Sequence, residues 1–314
     1  MNCLVTGSTG FIGSAIIKRL VKEGYKVKAI YHNKKPEFFE KKIEYIQCDL
    51  TKPSDLKKIP GNIDVVIHCA ALVKDYGSRD LFYKINVEGT KNLVNACEKY
   101  NLKRFIFISH MGYEQEKRFG YYNITKKLAE KYLLEKFKKE KFPVVIIIPG
   151  NVYGPGATTW VLRPIESIKK NRVALINKGN GIFLHTYIEN LLDPMIKAIT
   201  EPKAIGQIID INDGDYSITW GKYLNDLAKI IGKRPIERNF SRRQGLIIAK
   251  FMIFLNKITN FKPWVTPLAV SIFSNDKIID IKKAEKILKY KPKIDYNQGM
   301  KKVKEWLEQE GHIK

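Results

Sequence analysis

The chain has 314 residues, of which 44% are hydrophobic and 28% are charged, and its formal net charge is +24. This length allows one large domain or two smaller domains that share an interface. The positive charge would suit nucleic acid or an anionic membrane surface, but lysine is spread along the whole chain without an arginine-rich recognition segment, so we expect no nucleic-acid partner.

The four cysteines, Cys3, Cys48, Cys69 and Cys97, form neither a C-x-x-C pair nor a metal-binding spacing. They lie in apolar runs, which predicts buried, reduced thiols and no metal site. The chain enters a strand at its first residues, without a basic leader or a long apolar run, so we expect neither a signal peptide nor a spanning helix. These features predict a cytoplasmic protein.

Apolar strands alternate with helices through the first half of the chain. Strands that are apolar throughout and alternate with helices form parallel sheets covered on both faces, so this half predicts a doubly wound α/β (Rossmann) sheet. The predicted strands span 2–6, 26–31, 43–48, 64–69, 104–109 and 143–148, and the predicted helices span 14–22, 81–100 and 121–139.

After Gly150 the alternation loosens, which predicts a smaller mixed α/β lobe. We expect a nucleotide-binding domain over residues 1–155, with a return contribution around 182–200. Residues 156–314 would mainly form a substrate-binding lobe. The predicted elements here are helices at 158–171, 190–200, 220–231, 281–288 and 298–309, and a strand at 207–212.

A glycine-rich turn follows the first strand and opens the first helix. The segment from Thr6 to Gly13 has the spacing G-x-x-G-x-x-G. Glycine allows a tight turn and a close approach of the pyrophosphate to the backbone, and the helix N-terminus supplies free N–H groups. Strand–turn–helix is the context that confirms this motif, so we predict dinucleotide binding.

Tyr122 and Lys126 are four residues apart in the long helix predicted at 121–139, so they share one helical face. A tyrosine is a poor base because its pKa is about 10, but a nearby ammonium lowers that pKa. Tyr121 has no lysine at this spacing. We therefore predict Tyr122 as the residue that moves a proton to or from an alcohol oxygen.

With these motifs the chain resembles the extended short-chain dehydrogenase/reductase family, also called the NAD-dependent epimerase/dehydratase superfamily. Within it, the apolar C-terminal lobe is most similar to the 3β-hydroxysteroid dehydrogenase-like and dihydroflavonol reductase-like branch. The resemblance covers nearly the whole chain. It rests on the segments 6–13, 49–50, 68–71, 86–90, 122–126, 151–155, 187–190, 280–284 and 290–292.

The resemblance implies a cofactor site and a substrate site. Lys126 would bind the nicotinamide ribose and lower the pKa of Tyr122, and Asn86 would support the active site from the following helix. Asp49 and Leu50 would contact the adenine. The other implied cofactor residues are Gly7, Thr9, Gly10, Phe11, Ile12, Gly13, Tyr31, His32, Lys35, Cys69, Ala70, Ala71, Pro149 and Val152, and the implied substrate residues are Val73, Asn151 and Tyr187.

The end of the second strand bears on the choice between NAD and NADP. An NAD site usually carries an acidic residue there that binds the ribose 2′-OH. Here Tyr31 and His32 are followed by Lys34 and Lys35, and no carboxylate occurs before Glu37. These basic groups favour NADP slightly, although backbone contacts would suffice for NAD.

The third catalytic group departs from the family pattern. The family usually has two hydroxyl residues after the fifth strand, and the second of them is catalytic. Here Ser109 fills the first position and His110 the second. His110 could donate a hydrogen bond to the substrate oxygen, or Ser109, Thr125 or a water could take that role.

A strongly apolar run lies at 245–255, flanked by basic residues within 242–257. It is too short to span a bilayer. It would form a packed core helix, a lid over an apolar substrate, or an interfacial helix in peripheral contact with a membrane.

The sequence favours an NAD(P)-dependent oxidoreductase that acts on a secondary alcohol or ketone of a small, fairly apolar molecule. The alternatives are a sugar-nucleotide 4-epimerase or dehydratase, for which Asn151, Arg163 and Arg172 could hold a diphosphate, and a non-catalytic cofactor-binding regulator. The resemblance also implies a homodimer formed through the helices at 81–100 and 121–139.

Overall fold

The computed structural model describes residues 1–34, 43–111, 120–259 and 262–313, apart from the Lys257 side chain. A seven-stranded parallel sheet with the order β10-β6-β5-β4-β1-β2-β3 forms its centre. The strands are β1 (Asn2–Thr6), β2 (Lys26–Tyr31), β3 (Ile43–Gln47), β4 (Val65–His68), β5 (Arg104–Ile108), β6 (Val144–Pro149) and β10 (Ile208–Ile211).

The central strands are apolar on both faces because helices cover both sides of the sheet. All residues of β4, β5 and β6 are buried. Cys3 of β1 pairs with Val27 on one side and with Val65 on the other. The predicted doubly wound sheet is therefore confirmed, with all six strands of the first half in place.

The helices of the first half frame the carboxyl edge of the sheet, where parallel strands of this type bind ligands. They are α1 (Phe11–Lys22), α2 (Arg79–Tyr83), α3 (Gly89–Cys97) and α4 (Tyr121–Glu140). A π-helical turn (Lys84–Glu88) joins α2 to α3. Such turns are rare and occur frequently at functional sites.

The second half contributes both to the sheet and to a separate lobe. Strand β10 pairs with β6, and α6 (Ile188–Thr200) packs against α1 and β5. The boundary proposed at residue 155 stays a prediction. The remaining helices are α5 (Arg163–Lys169), α7 (Trp220–Ile230), α8 (Arg242–Thr259), α9 (Pro267–Phe273), α10 (Lys282–Leu288) and α11 (Tyr296–Gln309).

Two short strand pairs were not predicted from the sequence. Strand β7 (Asn151–Tyr153) pairs with β9 (His185–Tyr187), and β8 (Leu175–Ile176) pairs with β11 (Asn239–Phe240). Two or three residues are too few for an alternating pattern to be read, and their partners are distant in sequence.

The four cysteines have free thiols, as predicted. Within the described ranges, no helix combines the length and apolar character needed to cross a membrane.

Candidate active site

The glycine turn forms a cradle that only residues without side chains can occupy. Gly7 has a φ of +70°, and a Cβ atom there would lie 2.8 Å from the Ala70 nitrogen. A Cβ atom at Gly13 would overlap the Gly7 carbonyl oxygen. Helix α1 begins directly after this turn without a side-chain cap on its N-terminus. A tight glycine turn that leads into a helix N-terminus without a side-chain cap is the arrangement that binds a pyrophosphate.

A buried chain of hydrogen bonds supports the floor of this site. The Ala70 N–H donates to Thr6 Oγ1 (3.2 Å), and Thr6 Oγ1 lies 2.7 Å from His68 Nδ1. On the other side, His68 Nε2 lies 2.9 Å from Thr90 Oγ1, which donates to the Asn86 carbonyl oxygen (2.7 Å).

The direction of this chain can be assigned. The Thr90 hydroxyl donates its proton to the Asn86 carbonyl oxygen, so its oxygen must accept from His68 Nε2–H. In the neutral imidazole, Nδ1 then accepts from the Thr6 hydroxyl. His68 is therefore a neutral imidazole, in agreement with burial that lowers its pKa to about 3. The chain fixes the loop after β4, which carries Ala70 and Ala71, relative to β1 and α3.

Asn86 ties the same loop to α4, the helix that carries the candidate catalytic residues Tyr122 and Lys126 and is called the catalytic helix below for that reason. Its Oδ1 accepts from the Leu72 N–H (2.7 Å), and its Nδ2 donates to Thr125 Oγ1 (3.0 Å). The Thr125 hydroxyl in turn donates to the carbonyl oxygens of Tyr121 (2.7 Å) and Tyr122 (3.0 Å). Asn86 lies in the π-helical turn, where an extra residue in the turn aims it at both neighbours.

Lys126 is a buried cation held by an aromatic ring. Its ammonium lies 3.7 Å from the centroid of Phe107, and it forms no ion pair with a carboxylate of the described residues. Burial lowers the pKa of Lys126 to about 7. Its N–H donors therefore remain available for an oxygen that the protein does not supply, as the ribose of a bound cofactor would require.

The expected effect of Lys126 on Tyr122 is not seen. Burial raises the pKa of Tyr122 above its ordinary value instead of lowering it. The half-buried phenol is desolvated, and the ammonium of Lys126 faces Phe107 and is itself only partly protonated near pH 7. With these residues alone, Tyr122 is a neutral phenol, which is the proton-donating form.

The structure brings His110, and not Ser109, to Tyr122. The rings of His110 and Tyr122 meet edge to face, with centroids 5.0 Å apart. Burial lowers the pKa of His110 to about 4, so its imidazole is neutral at pH 7. The Ser109 hydroxyl instead donates to Glu130, which also pairs with Lys127 (2.8 Å).

The Ser109–Glu130–Lys127 cluster was missed by the sequence analysis. Glu130 is buried on a lysine-rich helix whose other two glutamates are exposed, so the sequence alone does not distinguish it, although a lysine three residues before it fits an ion pair. The Thr125 hydroxyl is likewise engaged with α4 and Asn86. Thr125 contacts the backbone of Tyr122, whereas His110 contacts its ring, which carries the hydroxyl group.

The other predicted cofactor residues surround the same edge of the sheet. The His32 ring is exposed at the end of β2, 3.5 Å from the Asp49 carboxylate. Asp49 also accepts hydrogen bonds from the Thr51 backbone (2.9 Å) and hydroxyl (2.8 Å). Lys35 lies outside the described residues. The turn also contains Thr9, Phe11 and Ile12. Tyr31 and Pro149 are the last residues of β2 and β6, Cys69 directly follows β4, Leu50 lies in the loop after β3, and Val152 lies within β7.

The predicted substrate residues are dispersed. Val73 is exposed on the loop after β4. Asn151 is buried in β7, and its Nδ2 has no hydrogen-bond partner among the described residues. Tyr187 is buried against Tyr153, with ring centroids 5.4 Å apart, where it packs β9 into the core. None of the three lines the cavity described next.

A cavity of about 220 Å³ opens in the C-terminal lobe. Its polar groups include Asp75, Arg163 and Arg172, all on exposed residues, so they lie at its mouth. The walls come from β8, β11, α5, α7, α8, α9 and neighbouring loops and are mostly apolar, with Trp160, Leu224, Phe240, Ile248, Trp264 and Phe273 among the lining residues.

Helix α9 connects this cavity with the catalytic helix. Its residues Ala269 and Phe273 line the cavity. On another side of α9, Leu268 packs on Gly120, where a Cβ atom would lie 3.1 Å from Leu268 Cδ2. Gly120 is the N-cap of α4, two residues before Tyr122. The apolar cavity is therefore one short helix away from the start of the catalytic helix.

Comparisons with known proteins agree with this site. The model of the NAD dependent epimerase/dehydratase family matches residues 3–214. Sterol-4-alpha-carboxylate 3-dehydrogenase (decarboxylating) of Schizosaccharomyces pombe is 26% identical over 99% of this chain and 98% of its own length. UDP-glucose 4-epimerase of Vibrio cholerae is 30% identical over 73% of this chain and 76% of its own length.

Solved structures share the fold. UDP-glucuronic acid 4-epimerase from Bacillus cereus, in complex with UDP-glucuronic acid and NAD, superposes with a TM-score of 0.75 at 24% identity, covering 98% of this chain and 99% of its own. The predicted resemblance and the prediction of an NAD(P)-dependent enzyme are confirmed, and the regulator alternative gains no support. The glycine cradle, the Tyr122/Lys126 helix and the family match over residues 3–214 make this chain a member of the NAD-dependent epimerase/dehydratase family.

Proposed function

We propose that this protein is an NAD(P)-dependent oxidoreductase that interconverts a secondary alcohol and a ketone on an apolar substrate. The observation that carries the proposal is the mostly apolar cavity that α9 separates from the start of the catalytic helix. A pocket with apolar walls and few polar groups binds apolar molecules, whereas a sugar ring requires many hydrogen-bond partners. The sterol dehydrogenase of Schizosaccharomyces pombe, matched over nearly the full length, supports this substrate class.

The chain's own residues would divide the proton chemistry between them. Tyr122, as the neutral phenol, would donate a proton to the ketone oxygen in the reductive direction. In the oxidative direction its phenolate, favoured by the positive charge of an oxidised nicotinamide, would take the proton from the hydroxyl. The neutral imidazole of His110, in contact with the Tyr122 ring, would donate a hydrogen bond to the same oxygen. Lys126 would bind the ribose, and the nicotinamide, when bound, supplies or accepts the hydride.

A sugar-nucleotide epimerase is the second candidate. Arg163 and Arg172 both line the cavity, and arginine pairs well with phosphate oxygens. The similarity to UDP-glucose 4-epimerase of Vibrio cholerae also supports it. The two candidates share the site and differ in whether the cofactor undergoes net reduction.

One experiment separates them. The purified protein is incubated with oxidised NAD or NADP and either a 3β-hydroxysterol or UDP-glucose, and both reduced cofactor and sugar products are measured. The proposal expects net formation of reduced cofactor with the sterol. Conversion of UDP-glucose to its 4-epimer without net reduction would support the epimerase and contradict the proposal.

We also propose a modest preference for NADP. The basic end of β2, with His32 exposed and no carboxylate on the strand itself, supports it, although Asp49 lies 3.5 Å from the His32 ring. The ratio of kcat/KM for the two cofactors tests it, with His32→Glu as the variant expected to shift the ratio toward NAD. A strong preference of the unmodified protein for NAD would reject it.

We further propose a cytoplasmic homodimer. Helices α2 and α4 carry exposed apolar residues, including Leu81, Ile124 and Leu128, of which the last two lie on one face of α4. A face of this kind suits a subunit interface. Light scattering is expected to give the dimer mass and Leu128→Lys to lower it toward the monomer. A monomeric unmodified protein would reject the dimer. The cytoplasmic location is supported by the four free thiols.

A further inference from the structure

Helix α8 presents a stripe of large apolar side chains to solvent. Ile247, Phe251, Phe254 and Ile258 are 68%, 59%, 57% and 64% exposed. Their spacing of four, three and four residues places them on one face of the helix. Single exposed apolar residues are ordinary, but a continuous row of four marks an interaction surface.

The opposite face of α8 already has its packing partners. Ala249 is fully buried in a small separate cluster with Ile176 and Val270. At Gly245, a Cβ atom would lie 2.9 Å from Ile176 Cδ1, so the helix sits tightly on its neighbours. Within the part of the chain that the structure describes, α8 therefore packs through the face opposite to the stripe, and the stripe itself stays exposed.

The charges of α8 have one sign and a regular spacing. Arg243 and Lys250 are exposed, are seven residues apart and flank one side of the stripe, and Lys257 is the next position at this spacing in the sequence. Helix α8 contains no aspartate or glutamate among its 18 residues. Long cationic side chains beside an apolar stripe are the pattern of a helix that lies in the interface of an anionic membrane.

The stripe adjoins the cavity. Gly245 and Ile248 of the same helix line the cavity, while Ile247 and Phe251 point away from the protein. A surface that holds α8 would therefore lie close to the cavity. An apolar alcohol or ketone dissolves in a bilayer far better than in water, so such a position would shorten its path to the site.

We propose that α8 docks this protein on an anionic lipid surface, with its apolar stripe in the bilayer boundary and its cations on the headgroups, so that an apolar substrate enters the cavity from the membrane. The docking does not depend on the proposed function, whereas the delivery of substrate rests on it. The one-signed charge favours lipid over a second copy of this chain, because two α8 helices would place cations of equal sign together.

Flotation with phosphatidylcholine vesicles, with and without phosphatidylglycerol, tests the docking. The full chain is expected to float with the anionic vesicles, and less so at high salt. The pair Phe251→Asp/Phe254→Asp and the pair Arg243→Glu/Lys250→Glu should each reduce the bound fraction by roughly tenfold or more. Ile278→Asp and Lys301→Glu, which change an exposed apolar and an exposed cationic residue elsewhere, should leave it unchanged.

Three results would overturn the docking. The first is that the unmodified chain does not float with the vesicles, and the second is that the control variants lose as much of the bound fraction as the α8 variants. The third is a change in the oligomeric mass of the α8 variants, which would identify a second copy of the chain as the occupant. If the aspartate pair does not fold, as judged by thermal unfolding, the charge-reversal pair gives the answer.

The delivery step has its own readout. For a substrate carried in anionic vesicles, kcat/KM should fall roughly tenfold in the Phe251→Asp/Phe254→Asp variant, in step with its lost binding, while kcat/KM for a short water-soluble alcohol stays the same. If the variant and the unmodified protein have equal kcat/KM values for the vesicle-borne substrate, delivery of substrate from the membrane is contradicted. If neither alcohol is oxidised but flotation persists, the proposed function fails and the docking stands.

Discussion

The carboxyl edge of the sheet and the C-terminal cavity are built in opposite ways. At the sheet edge, His68, Thr90 and Asn86 use their side-chain polar groups in directed hydrogen bonds. The cavity has mostly apolar walls, with charged groups at its mouth. Buried polar networks fix one arrangement because each broken hydrogen bond is costly, whereas apolar contacts tolerate changes of shape.

The difference indicates where the reaction and the substrate choice reside. The residues that position the proton donor are held to one another, from Thr6 through Asn86 to the first turn of α4. The cavity draws its walls from six helices and strands that are otherwise independent of this network. We therefore expect substitutions at the sheet edge to change every reaction of the enzyme, and substitutions in the cavity to change only the preferred substrate.

Gly13→Ala is expected to have the largest effect on the sheet edge. The added methyl group would overlap the Gly7 carbonyl oxygen, so the turn must move and its cradle is lost. Cofactor affinity, measured by calorimetry, should fall by roughly 100-fold. Gly61→Ala is the matched control, because no atom of the described residues lies within 4 Å of its Cβ position. Unchanged affinity in Gly13→Ala would place the cofactor elsewhere.

Asn86→Ala should weaken both stability and turnover. It leaves the Leu72 N–H without its acceptor and removes the link to Thr125, each at a cost of about 1–3 kcal/mol in the free energy of unfolding. Because the Thr125 hydroxyl donates to the carbonyl oxygens of Tyr121 and Tyr122, the turn that carries Tyr122 loses a support, and kcat should fall for every substrate. Urea unfolding and steady-state kinetics measure the two effects, and exposed Asn95→Ala is the control. Loss of stability with normal kcat would limit Asn86 to a structural role.

Ala269→Phe tests the cavity side of the comparison. The larger ring would fill part of the space of about 220 Å³ without touching the hydrogen-bonded network. We expect KM for a large apolar alcohol to rise by roughly tenfold, with unchanged cofactor affinity and a smaller effect on a short alcohol. A uniform loss for both alcohols would indicate that the cavity is not the substrate site.

Lys126→Met is expected to stabilise the protein by a few degrees when no cofactor is added. Burial holds the pKa of Lys126 at about 7, below its ordinary 10.5, so the unfolded chain binds the proton more tightly. The destabilisation by Lys126 therefore grows as the pH falls from 10.5 to 7 and is constant below 7. Thermal unfolding across this pH range should show that the difference in melting temperature between the variant and the unmodified protein becomes smaller toward high pH. A pH-independent difference would contradict the lowered pKa.

The sequence predicted the features that depend on local spacing. The glycine turn, the strands of the first half and the Tyr122/Lys126 pair are each contained in a short segment, so their patterns could be read directly. The protonation state of Tyr122 could not be predicted from the sequence, because the pKa depends on how deeply the ring is buried and on where the Lys126 ammonium points.

Features assembled from distant segments were not predictable in the same way. The hydrogen bond between Ser109 and Glu130 joins a strand end to a helix, and it engages the serine hydroxyl that the sequence offered as a candidate catalytic group. The cavity joins residues from Asp75 to Phe273, and the sequence draws attention to Arg163, Arg172 and the apolar run at 245–255 without indicating that they meet. The hydrogen-bond chain through the neutral imidazole of His68 joins Thr6 to Thr90, and no local sequence pattern predicts that these residues meet.

The central claim is that Tyr122 transfers the proton in an NAD(P)-dependent oxidation. The most direct test compares Tyr122→Phe with Tyr121→Phe, which removes the same hydroxyl group from the exposed neighbouring ring. Net formation of reduced cofactor should fall by about 10²- to 10⁴-fold in Tyr122→Phe, with unchanged cofactor affinity, and stay near normal in Tyr121→Phe. Normal turnover by Tyr122→Phe with cofactor bound would contradict the account.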